Sequence, residues 1–159
     1  MKKTALLLFC LVTLISCGSS QVVRDSGKTL KGDWRLTSID YPGNDEALQV
    51  TVFNDVPAEC LENSTWNFLS SNNTGSYNPI GAGCNTGPNF FIWSIDEVNS
   101  AAGNYDLMFK PTNADYKSTM NNRGYRINLT NLSANQMVWE QTITFEGKPF
   151  TIRMNFNKY

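Results

Sequence analysis

Four cysteines, a few paired carboxylates and no histidine define the chemistry open to this chain of 159 residues. Without an imidazole, the commonest general base, the commonest zinc ligand and the usual nucleophilic triads are all missing. The carboxylate pairs Asp45-Glu46, Glu59-Glu62 and Asp96-Glu97 fall in turns or at strand ends, where solvation explains them. Glycosidase-type catalysis would need two carboxylates facing one cleft, and no calcium-loop pattern surrounds any of these pairs. No nucleophile–base pair or metal set can be assembled, so an enzyme is the least expected reading and neither cofactor nor metal is implied. A formal net charge of -1 makes no electrostatic case for a nucleic-acid partner.

The thiols divide by position. Cys10 and Cys17 belong to a leading stretch of Met1-Lys2-Lys3, an apolar run from Ala5 to Ile15, and Ser16-Cys17-Gly18. A basic start with a short apolar run reads as a secretory signal, too short for a bilayer span of about 20 apolar residues. Leu14-Ile15-Ser16-Cys17 resembles the bacterial lipobox. That resemblance implies diacylation of the Cys17 sulfur, removal of residues 1–16 and acylation of the new amine, so that the membrane is held through an N-terminal lipid. Two or more acyl chains anchor stably, at about 0.8 kcal/mol per buried methylene. Gly18 replaces the Asp that favours inner-membrane retention in proteobacterial lipoproteins, which points to the outer membrane. The acidic run found after the lipid cysteine in surface-exported Bacteroidetes lipoproteins is absent, which points to the periplasmic side. Cys60 and Cys84 then remain together in an oxidising compartment, where a disulfide is expected. Closing a loop of about 25 residues is worth roughly 3.5 kcal/mol in the loop-entropy model. Two free thiols or a redox pair are the alternatives, the latter far from the usual Cys-x-x-Cys spacing.

Residues 17–29 are polar and mixed and read as a lipidated tether, and residues 30–159 as one domain. Apolar side chains there recur with period two. Trp34, Leu36 and Ser38 share one strand face, Trp66 and Phe68 another, and Phe91, Trp93 and Ile95 a third. Tyr105 to Phe109 and Tyr125 to Leu129 continue the pattern. Met137, Trp139, Ile143 and Phe145 lie on one face of a long strand, and Phe150, Ile152, Met154 and Phe156 on the inner face of the last. Tyr41-Pro42-Gly43-Asn44, Ser70 to Gly75 and Glu146-Gly147-Lys148-Pro149 are turn signals. Asn54 to Glu62 reads as a turn or single helical turn, and residues 79–89 and 111–124 as long loops. No window shows a strong 3.6-residue period. The expected fold is all-β: an antiparallel meander that closes into a barrel of about eight strands, with a sandwich as the alternative. Closure removes adhesive sheet edges.

Leu30-Lys31-Gly32-Asp33-Trp34 resembles the first-strand signature of the lipocalin-like families. The ordered set of L-x-G-x-W-x-L, Cys60 ahead of Trp66-Asn67-Phe68, Cys84 in a Gly-rich loop and Phe91-Ile92-Trp93 resembles the small lipocalin-like lipoproteins of Bacteroidetes. The resemblance implies that Gly32 lets the chain bend tightly and that Trp34 plugs the closed end. In lipocalins an arginine of the last strand packs across that ring. Arg153 is the candidate, although alternation places it opposite Ile152 and Met154, which favours an ordinary solvated arginine. Trp66, Phe68, Trp93 and Trp139 are either core or ligand contacts, since an eight-stranded barrel can just fill itself or hold one small ligand. Gln141 shares the face of Met137 and Trp139, where its amide needs a neighbour, a water or a ligand. The expected function is a monomeric, membrane-anchored lipocalin-like protein that binds a small apolar or amphipathic ligand in the barrel. The alternative is an envelope scaffold with a filled barrel whose loops contact protein or glycan.

Overall fold

The computed structural model describes residues 20–44, 49–53, 56–96 and 105–159. The signal segment, the lipobox with Cys17, the Asp45-Glu46 pair and Glu97 lie outside the described residues. In chain order the elements are α1 (Gln21–Leu30), β1 (Gly32–Asp40), β2 (Thr51–Val52), β3 (Val56–Pro57), α2 (Ala58–Leu61), β4 (Thr65–Leu69), β5 (Thr74–Asn78), β6 (Asn89–Asp96), β7 (Tyr105–Thr112), β8 (Tyr125–Leu132), β9 (Gln136–Phe145) and β10 (Lys148–Lys158).

Eight of the strands form the expected closed antiparallel barrel, in the order β1-β10-β9-β8-β7-β6-β5-β4. The connections leave two distinct ends. At the floor lie α1, the β4–β5 hairpin and the chain's last residues. At the mouth lie the β1–β4 connection with β2, β3 and α2, the loop carrying Cys84, the β7–β8 loop and the β9–β10 hairpin. Alternation decides the inside: Phe150, Ile152, Met154 and Phe156 of β10 are buried, facing Met137 and Trp139 of β9 across the register Phe156↔Met137 and Met154↔Trp139. Cys60 and Cys84 form the expected disulfide, with Cα atoms 5.7 Å apart.

Three features depart from the sequence pattern. Residues 21–29, expected within the tether, form α1 together with Leu30, and the helix packs on the floor through Ser26 and Leu30, with Gly27 against Trp93. Val23, Ser26, Gly27 and Leu30 do follow helical spacing, and Ser20 caps the N-terminus by accepting from the Val23 N–H. The segment is thus amphipathic, but its low mean hydropathy resembles that of a polar tether. Second, the β1–β10 register slips between Leu36 and Ser38. Thr37 is the extra residue of a bulge. Ile39 therefore takes the inward parity expected for Ser38, and the Ser38 and Asp40 side chains receive bonds from Asn155 Nδ2 instead. Third, β9 outruns the barrel wall. Ile143 and Phe145, expected inside with Trp139, keep that parity but lie at the rim, 37% and 50% exposed.

Candidate functional site

The floor is built around Trp34. Its indole Nε1 donates to the Leu30 carbonyl at 2.8 Å, tying β1 to the end of α1. Lys158 lies over the ring, its Nζ 4.9 Å from the centroid, and donates to the Thr29 carbonyl at 2.8 Å. Gly32 has φ +118°, and a Cβ there would meet Lys158 Cε at 3.1 Å, so the signature glycine provides both the bend and room for the lysine stem. Burial lowers the Lys158 pKa, and nearby Asp33 opposes that shift. The cation on the tryptophan is thus Lys158 and not Arg153, whose guanidinium pairs on the outer face with Glu140 at 2.7 Å and Asp40 at 3.6 Å. Lys158 shares the parity of Phe150 through Phe156, so alternation along β10 already distinguished the two.

The lumen is filled. Trp66 stacks on Tyr77 with centroids 4.3 Å apart and meets Trp139 edge-on at 5.4 Å. Trp139 lies 4.8 Å from Phe156, Phe68 5.1 Å from Phe91, and Phe91 4.7 Å from Phe109. Of the residues considered as ligand contacts, Trp66, Phe68 and Trp139 are fully buried in this cluster. Trp93 belongs to the floor, donating from Nε1 to the Thr74 carbonyl at 3.0 Å. Gln141 is half-buried on β9 opposite Ile152. Gly75 is what admits the Phe91 ring: a Cβ there would collide with it and with the Asn67 carbonyl. Eight strands enclose just enough space for side chains, and here aromatic rings take it.

The most enclosed of the described clefts lies at the mouth. A cleft of about 290 Å³ sits above Phe53, Tyr77 and Phe90, between Pro57, Pro79, Pro111 and Met120. Asn85, Asn89, Thr112 and Thr119 supply its polar groups, and no Asp, Glu, Lys or Arg belongs to the described lining. Phe53 separates cleft from lumen. It stacks on Phe109 at 4.5 Å and holds a left-handed φ of 54°, a conformation unusual for an aromatic residue. The Cys60–Cys84 disulfide and the Ile80 N–H to Cys60 carbonyl bond of 2.9 Å join two walls of the cleft. The third wall is ordered by its own side chains: Asn113 Oδ1 accepts from the Asp115 and Lys117 N–H groups, and Ser118 Oγ from those of Met120 and Asn122. The Thr112 hydroxyl is buried against this wall with no hydrogen-bond partner among the described residues.

Sequence reasoning missed Phe53, Thr112 and Met120. Their only signal was an apolar or β-branched residue inside otherwise polar connections, which period-two counting does not weigh.

A closed eight-stranded antiparallel meander with a tryptophan-plugged floor and a cleft at the opposite end is a lipocalin-like barrel. No family model matches the sequence, and no curated protein does. Among solved structures the chain is similar to a lipocalin-like protein from Bacteroides uniformis ATCC 8492, with 16% identity and a TM-score of 0.45 over 82% of this chain and 99% of that one.

Proposed function

We propose that the chain is a monomeric lipoprotein, held by acylated Cys17 on the periplasmic side of the outer membrane, that binds a small uncharged amphipathic ligand at the barrel mouth. The observation that carries the binding role is the mouth cleft itself: an aromatic floor, proline walls, amide and hydroxyl groups at its edge, and the buried Thr112 hydroxyl lacking a partner among the described residues. A buried hydroxyl without a bond costs on the order of 1–3 kcal/mol, and a ligand acceptor or donor placed there would recover part of that. The space suits a ligand of on the order of 10–15 non-hydrogen atoms. Neutral lining residues select against ions. Because Trp66, Phe68 and Trp139 pack against one another in the lumen, this reading puts the ligand on Phe53, Tyr77 and Phe90 at the mouth rather than on those three rings.

The test uses 1-aminoanthracene, a neutral amphipathic fluorophore, with the purified full chain. Saturable enhancement that Met120→Arg abolishes and Thr112→Val weakens, at unchanged folding, is the expected result. Fluorescence indifferent to Met120→Arg would remove the cleft as the site. A second reading, contact with a protein partner, is favoured by one observation: Ile143 and Phe145 stand half-exposed on the β9–β10 hairpin beside Phe150. Photocrosslinking from position 145 in intact cells separates the two readings.

A further inference from the structure

The helix α1 changes what the anchor can do. A tether reaching to residue 29 would let the barrel tumble freely above a membrane. With α1 beginning at Gln21 and capped by Ser20, only three Cα steps separate Cys17 from the folded body, a reach of about 11 Å at most. The helix itself, about 15 Å long, lies across the floor, packed against β6 and β8. Its exposed flank carries Arg24 and Lys28, which border a groove against β6, continued by exposed Lys31, while Asp25, the one acid between residues 20 and 31, pairs with Lys28 at 3.1 Å. This segment is net positive on a chain whose overall formal charge is -1. Val22, 40% exposed, lies on the same helix.

We propose that this basic face of α1 rests on the anionic headgroups of the membrane that holds the lipid, so that the barrel stands with its mouth directed away from the bilayer. The inference rests on acylation of Cys17. A short leash restricts the floor to the interfacial layer, and within a Debye length each Lys or Arg gains about fivefold in affinity for an anionic surface. The mouth cleft, at the Asn89 end of the eight-residue β6, then lies about 20 Å above the floor for ordinary strand rise and tilt. It faces solvent, where a water-borne ligand can reach it.

The experiment uses the acylated full chain in vesicles of phosphatidylethanolamine and phosphatidylglycerol. A fluorophore is placed either at Val22→Cys on α1 or at Asp115→Cys in the β7–β8 loop, and quenching by brominated lipid is read. Quenching several-fold greater at position 22 than at 115 is expected. It should fall toward the level seen in phosphatidylcholine vesicles in the Arg24→Gln/Lys28→Gln/Lys31→Gln variant. Equal quenching at the two positions, or quenching unchanged by the triple variant, in protein that still floats with vesicles overturns the docking and leaves the anchor standing. Protein whose N-terminal peptide carries no acyl mass and which fails to float overturns the anchor and the docking together.

Discussion

The two ends of this barrel seal themselves by different means. The floor uses regular structure: a capped helix, the Trp34 indole bonded to the helix terminus, and a lysine laid across the ring from the last residues of β10. The mouth uses irregular structure: a two-stranded ribbon, one helical turn, a disulfide, a phenylalanine in a left-handed conformation and loops stitched by Asn113 and Ser118. A regular seal buries its backbone bonds, and the groove beside it, between α1 and β6, is wide open to solvent and edged by the charged Arg24 and Lys28. An irregular one keeps polar side chains and a cleft at the surface, as binding sites on rigid scaffolds do. The filled lumen between them isolates the two ends.

The largest break in this comparison comes at the floor. Trp34→Ala removes a fully buried indole and its bond to Leu30, and should cost about 3–5 kcal/mol, read as a drop in urea midpoint. A cost under about 1 kcal/mol would mean that the floor is not a structural plug. Replacing Cys60 and Cys84 together with serine should cost roughly 3.5 kcal/mol by loop entropy. Its signature is local: faster hydrogen exchange at residues 56–64 and 79–89 with α1 unchanged. Exchange that rises equally in α1 would show that the ends are coupled through the lumen. Phe53→Ala comes next, at about 3 kcal/mol, the low end for a phenylalanine because the neighbouring cleft eases collapse. It should also admit a larger apolar probe beneath the mouth, seen as new binding of a naphthalene-type dye, and the absence of that gain would show that the ring cluster closes over the vacancy.

The comparison also explains what was legible in sequence. Strand count, order and most inward positions followed from alternation, because a barrel interior enforces period two on every strand that lines it, while the disulfide followed from the two cysteines left together in an oxidising compartment. The pattern misled where that enforcement stops. At Thr37 a bulge shifted Ser38 outward and Ile39 inward. At the rim Ile143 and Phe145 kept inward parity after the barrel wall had ended. In α1 the segment is amphipathic at helical spacing, but its low mean hydropathy made it read as polar tether. The mouth was least legible, since Phe53, Thr112 and Met120 come together only after three separate connections fold over one another, and no local period records that. Trp66, Phe68 and Trp139 were correctly placed inside, but composition alone could not say whether their rings would line a space or occupy it.

The smallest effect sharpens the floor. Lys158→Met keeps the stem over Trp34 but removes the ammonium, its attraction to the ring and its bond to the Thr29 carbonyl, at a net cost of about 1 kcal/mol at pH 7. The pH dependence carries the mechanism. Burial holds the folded Lys158 below the ordinary lysine value of 10.5. The unfolded chain therefore binds the proton more tightly, and between the lowered pKa and 10.5 it carries more protons than the folded one. Wild-type stability gains with pH across that window, while Lys158→Met has no such gain. Tyr41, whose pKa is raised by burial and then by Glu62, works in the opposite direction but equally in both proteins, so the difference between them isolates the lysine. Urea unfolding at pH 7 and at pH 10 should show the gap widening. A gap that narrows would mean that the ring and the Thr29 carbonyl hold the charged form more strongly than burial opposes it, and that the floor is sealed by electrostatics more than by packing.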